Sequence, residues 1–233
     1  LNQLANQLKD EDFERLKVRN IKNLCLIGKA GSGKTHSLCD FSLKNHDKAN
    51  IYLFFGTNFS EHESAISHIK NIVCQDLSIE DYNNELKIKN RYAVIVIDAL
   101  NEGLGCYYWN NNLGALRSEL ERHDHFRLIV SIRMPFDKEI NDFANIENWQ
   151  IYYVKGFVDK NKAINAYFKK YKIDSNYLEQ KIEAFKNPLF LKMFCETFHS
   201  MSVTERSKVN KMLLYKHYVT KKSRGTQKED NLS

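Results

Sequence analysis

Residues 25–40 read CLIGKAGSGKTHSLCD. Within this stretch Gly28, Gly33, Lys34 and Thr35 match the pattern GxxxxGK followed by Ser or Thr, and Gly31 adds a further glycine to the loop. An apolar run, NLCLIG (23–28), leads in, and the residues from Lys34 onward predict a helix, so the loop joins a strand to a helix as the pattern requires. The physical reason is that glycines let successive backbone N–H groups turn inward around a phosphate, while the helix N-terminus adds its partial positive charge. On this reading Gly28, Lys29, Ala30, Gly31, Ser32, Gly33, Lys34, Thr35 and His36 form the nucleotide-binding stretch. Lys34 reaches the β- and γ-phosphates, and the Thr35 hydroxyl offers an oxygen to Mg²⁺.

Working outward, ANIYLFFG (49–56), YAVIVID (92–98), FRLIVSIR (126–133) and WQIYYV (149–154) each predict a strand, the first of them buried. Ser60 and Glu63 have capping-box spacing ahead of a helical face of Ile66, Ile69, Ile72 and Val73. Leu113, Leu116 and Leu120 mark a further helix. Strands that are apolar without interruption, separated by amphipathic helices, predict a parallel sheet covered on both sides, a three-layer α/β domain. From Asp159 the pattern is helical only, with stripes of Ile164, Tyr167, Phe168 and Tyr171 and of Leu191, Phe194, Phe198 and Met201. Leu1, Leu4 and Leu8, then Phe13 and Leu16 after a capping Asp10, also have helical spacing. The expected organisation is a helical lead-in over 1–20, an α/β domain over 21–157, and a small helical domain with a polar tail over 158–233.

Two strand ends carry further chemistry. Asp98 closes VIVID, where a buried carboxylate needs a cation, and Mg²⁺ is the expected one. Glu102, four residues on, is placed either to polarise an attacking water or to serve as an ordinary loop carboxylate. Arg133 ends LIVSIR and so sits at the carboxyl edge of the sheet, where open α/β sheets bind ligands. There it contacts a γ-phosphate or is simply an exposed strand-end arginine.

Composition narrows the classes. At 233 residues and 42% hydrophobic, the chain supports a full core without staples. Its five cysteines are odd in number and lack CxxC spacing, which argues against a zinc or disulfide framework and for reduced thiols in the cytoplasm. No apolar run approaches the ~20 residues that span a bilayer. The net charge of +6 would suit nucleic acid, but the lysines are scattered (Lys160, Lys162, Lys169, Lys170 and Lys172, then Lys216, Lys221, Lys222, Arg224 and Lys228) and read as solvated helix faces. The chain opens at Leu1 and is expected to be a piece of a longer protein.

An acid strand separated from the loop strand by another strand and helix disfavours the small nucleotide kinases. IDALNEG (97–103), VSIR (130–133), KGF (155–157) and NPLFLKMFCE (187–196) resemble the signalling ATPases called STAND NTPases, in their NACHT-like, bacterial antiviral branch. The resemblance covers about residues 17–200. It implies a P-loop NTPase sheet of order 5-1-4-3-2 followed by a helical lid, with ATP or ADP and Mg²⁺ as cofactors. By position it makes Asp98 the Mg²⁺-side acid beside Thr35, Glu102 the hydrolytic acid and Arg133 the sensor arginine. Pro188 becomes the residue that packs on the adenine, although by itself it reads as a first-turn helix proline. It further implies self-association of the full-length protein on a phage-protein trigger recognised outside this chain. The family commonly carries a second acid before the one matching Glu102, where Asn101 stands here, so hydrolysis is expected to be slow. The winged-helix domain that should follow is not evident after residue 205. Two other readings stay open: an AAA-like ATPase that loads or remodels nucleic-acid complexes, and a non-catalytic nucleotide-binding scaffold.

Overall fold

Strands β1 (Asn23–Gly28) and β3 (Ala93–Asp98) are buried along their whole length, and β4 (Phe126–Arg133) is buried up to its last residue. Alternate side chains explain why these runs have no polar face. Cys25, Ile27, Ile95, Ile97, Leu128 and Val130 enter one apolar cluster, while Leu24, Leu26, Val94, Val96 and Ile129 enter another on the opposite face. The computed structural model describes residues 22–144, 148–174, 183–207 and 211–229; the lead-in helix expected over 1–20 lies outside them. With β2 (Asn50–Phe55) and β5 (Gln150–Tyr153), the strands form one parallel sheet ordered β2-β3-β4-β1-β5, which is 5-1-4-3-2 from the other edge.

Helix α1 (Lys34–Asn45) covers one face through Leu38 and Phe41. Helices α2 (Ala65–Val73), α3 (Ile79–Ile88) and α4 (Gly105–Glu121) cover the other through Ala65, Ile69, Val73, Leu86, Leu113, Leu116 and Leu120. The domain is a three-layer α/β fold, as the uninterrupted strands require.

Local expectations are corrected in three places. Strand β2 is an edge, paired only with β3, so it is half-exposed rather than buried, and Leu53 and Phe55 reach solvent. Ser60 and Glu63 do not cap α2. Its N-cap is Ser64, whose hydroxyl accepts the Ser67 N–H, and Glu63 instead bonds the side chains of His68 and Asn71. The buried face of α2 is accordingly Ala65, Ile69 and Val73, with Ile72 outside. Helix α3, capped by Ser78, was not anticipated, because its apolar spacing is interrupted by charged and amide side chains.

Contacts divide the chain at Val154/Lys155. The second unit holds α5 (Lys160–Tyr171), α6 (Pro188–Thr197), α7 (Val203–Ser207) and α8 (Lys211–Glu229). Its core gathers Ala163, Phe168, Phe185, Leu191, Phe194, Phe198, Met201 and Leu214. The motif NPLFLKMFCE has a plain physical content here. The Asn187 side chain accepts the Phe190 N–H at 3.1 Å, Pro188 occupies the first turn, and Phe190, Leu191, Met193 and Phe194 fill the core.

Burial pushes the thiols of Cys25 and Cys195 up, the latter to about 12, which keeps both protonated. All five cysteines are free. Among the described residues, no helix is long and apolar enough to cross a membrane.

Candidate nucleotide site

The loop after β1 ends where α1 begins at Lys34, and its glycines take backbone conformations that other residues adopt only with strain: φ is +70° at Gly31 and +103° at Gly33. Lys34 folds back over the loop, its Nζ donating to the carbonyls of Gly28 at 2.9 Å and Lys29 at 3.3 Å. Burial lowers the pKa of its ammonium, Asp98 pulls it back up, Arg133 pushes it down and Glu102 raises it. An anion arriving at the loop would remove that deficit. Ser32 is 5% exposed, and its buried hydroxyl has no hydrogen-bond partner among the described residues.

Contacts group the loop tip, Gly31–Gly33, with the helical unit. Within that unit the Leu189 N–H donates to the Gly31 carbonyl at 3.3 Å, and a Cβ at Gly31 would come within 2.4 Å of the Leu189 Cβ. A Cβ at Gly33 would stand 3.8 Å from the Pro188 ring. Lys29 and His36 are exposed, and Ala30 lies at the start of the turn.

Asp98 ends β3 at 3% exposure. Its Oδ2 accepts from the Thr35 hydroxyl at 2.5 Å, across 63 positions of sequence, and its Oδ1 accepts from the Ser131 hydroxyl. Glu102 and Arg133 are half-exposed, and the Arg133 guanidinium stands 3.6 Å from Glu102 Oε1. Asn101 turns its side-chain oxygen to the Arg133 backbone N–H at 3.0 Å. The turn that carries Asn101 and Glu102 is tightly wound, with φ of +60° at Ala99 and +64° at Gly103.

Gly56, at the end of β2, makes room for that turn, because a Cβ there would lie 2.3 Å from the Ala99 carbonyl oxygen. Gly56→Ala is therefore expected to destabilise the fold by about 1–3 kcal/mol in urea unfolding. A change below ~0.5 kcal/mol would show that the turn relaxes freely.

The donor set fits a cation that keeps water and phosphate in its shell. Among the described residues no group of three or more His, Cys, Asp or Glu forms a protein-only cage. One carboxylate and one hydroxyl, side by side at the mouth of a phosphate-type loop, are what Mg²⁺ takes from a protein when phosphates supply the rest.

The structure brings the predicted Asp98 to Thr35 and Glu102 to Arg133, and it adds two unanticipated contacts, those of Ser131 and Asn101. The signal for Ser131 was available: a hydroxyl in the middle of LIVSIR is a buried polar group that must find a partner.

No protein family matches the chain in sequence, nor does any curated protein. Solved structures do resemble it. The Walker-type ATPase PABY2304 of Pyrococcus abyssi aligns over 98% of this chain and 75% of its own, with a TM-score of 0.61 and 15% identity. The likeness shows the fold alone, a parallel five-stranded α/β sheet with helices like that of this ATPase. Drosophila ORC bound to DNA aligns over 68% of this chain and 95% of its own (TM-score 0.44, 13% identity). Drosophila ORC bound to AT-rich DNA and Cdc6 aligns over 94% and 81% (0.46, 12%), and both are too distant to add to the assignment.

Proposed function

We propose that this chain is the ATP-binding, slowly hydrolysing switch module of a STAND-type signalling ATPase. The observation that carries the reading is the meeting of Thr35 and Asp98 at 2.5 Å beside Lys34, since two stretches 63 positions apart deliver a cation, a hydroxyl and a carboxylate to one loop mouth. Lys34 and the inward N–H groups of residues 29–35 bind the β- and γ-phosphates of ATP. Thr35 and Asp98 hold Mg²⁺, which when bound neutralises phosphate charge. Glu102 takes the proton of the attacking water, and Arg133 contacts the γ-phosphate and registers its loss. Differential contacts of that kind shift a conformational equilibrium by their own free energy, so hydrolysis resets the switch without performing work.

Two observations favour slow turnover. Arg133 occupies Glu102 at 3.6 Å, and the position before Glu102 is an amide whose oxygen is engaged by the Arg133 backbone. The same ion pair favours a second reading, a nucleotide-binding scaffold that does not turn over. The placement in bacterial antiviral defence, with self-association of the longer protein on a phage-protein trigger, rests on the resemblance at IDALNEG and NPLFLKMFCE.

The direct test is calorimetry. Lys34→Ala should weaken Mg·ATP binding at least tenfold, or about 1.4 kcal/mol, because it removes the point charge from the phosphates. Equal affinity in parent and variant would overturn the phosphate-site assignment.

A further inference from the structure

Regular pairing of β3 with β4 runs from Ala93↔Phe126 to Ile97↔Val130 and then stops. Beyond it, one residue of β4 holds three successive residues at the end of β3 and just after it. Ser131, fully buried, gives its hydroxyl proton to Asp98 Oδ1, accepts the Ala99 N–H on the same oxygen at 3.0 Å, and accepts the Leu100 N–H on its carbonyl at 2.9 Å.

The proton count is decisive. The Ala99 N–H can only donate, so the single Ser131 hydroxyl proton is left for the carboxylate. Asp98 then has its two oxygens divided: Oδ1 faces Ser131 inside the sheet, and Oδ2 faces Thr35 at the loop. The bonds from Ala99 and Leu100 also hold the left-handed backbone at Ala99, a conformation that costs a non-glycine residue about 1 kcal/mol or more.

We propose that Ser131 is a positioning residue that reserves Oδ1 of Asp98 and turns Oδ2 toward Thr35, and so sets the affinity of the site for Mg²⁺. This rests on the reading of Asp98 as the metal-side acid. Partners that orient a ligating group commonly change metal affinity about 10- to 100-fold when removed.

The test separates metal binding from nucleotide binding. Binding of a fluorescent, non-hydrolysable ATP analogue is measured across a Mg²⁺ titration and again in excess EDTA, for the parent, Ser131→Ala and Ser131→Cys. Ser131→Ala should raise the Mg²⁺ midpoint by about 10-fold or more while leaving the EDTA affinity within about threefold. Ser131→Cys, which keeps a weak donor of similar shape, should fall between Ala and the parent, and it carries the test alone if the Ala variant does not fold. An unchanged midpoint in the variants, or an equal loss with and without Mg²⁺, overturns the role of Ser131 and leaves the functional reading standing. A parent whose binding ignores Mg²⁺ overturns the functional reading and this inference together.

Discussion

Glu102→Gln is expected to leave Mg·ATP binding within about threefold of the parent and to cut turnover by roughly 10²- to 10⁴-fold, the usual range for a positioned general base. Glutamine keeps the size and hydrogen bonding of the side chain but cannot take a proton from water. The objection is that Arg133 already occupies Glu102. Magnitudes answer it. At 3.6 Å, with side chains 43% and 50% exposed, the pair is a surface ion pair worth about 0–1 kcal/mol. A triphosphate, with several negative charges near a half-buried lysine, competes for the guanidinium on far better terms. The pair therefore holds the acid loosely until a nucleotide draws Arg133 away. Single-turnover hydrolysis with radiolabelled ATP checks this, and turnover equal to the parent would make Glu102 an ordinary loop carboxylate and favour the scaffold.

The layers and the loop were legible in the sequence because each rests on a local rule. Strands β1, β3 and β4 carry runs too apolar to face water, and the glycines of residues 28–33 sit where a strand turns into a helix. What escaped was set by neighbours distant in sequence. Nothing in ANIYLFFG says that its strand ends up on an edge; only the order β2-β3-β4-β1-β5 decides that. Ser60 and Glu63 have the spacing of a cap, yet Ser64 makes the bond, because the serine nearer the apolar face starts the helix. By the family resemblance alone, Asn101 stands where a second acid is common. In the fold it is a bond to the strand that carries Arg133, 32 residues later. The candidate site was thus readable as a set of groups but not as a set of contacts.

The same dependence on burial underlies the largest stability effect expected. Helix α4 carries Arg117 and is capped at its C-terminus by Arg122, each with a carboxylate at 2.8 Å: Arg117 with Glu121 and Arg122 with Glu119. Distance alone would rank them equal. Arg117, however, is 10% exposed and forms a second, bidentate pairing with Asp142, at 3.0 and 3.2 Å, whereas Arg122 is 73% exposed. Asp142 also accepts the Trp149 indole N–H at 2.8 Å, and Glu121 accepts from Asn23 at the start of β1. Arg117→Ala would leave the partly buried Asp142, and Glu121 beside it, without their cation, at a cost of up to about 3–5 kcal/mol. Arg122→Ala should cost less than about 1 kcal/mol. Urea unfolding of the two variants against the parent measures both, with the midpoint shifting strongly for one and little for the other. Equal, small shifts would mean that water reaches Arg117 in solution. Asp142, which this network holds, lies nine residues after Arg133 at the end of β4. Arg117→Ala is therefore expected to loosen the edge of the candidate nucleotide site as well as the fold, which would appear as weaker Mg·ATP binding at temperatures where the variant is still folded.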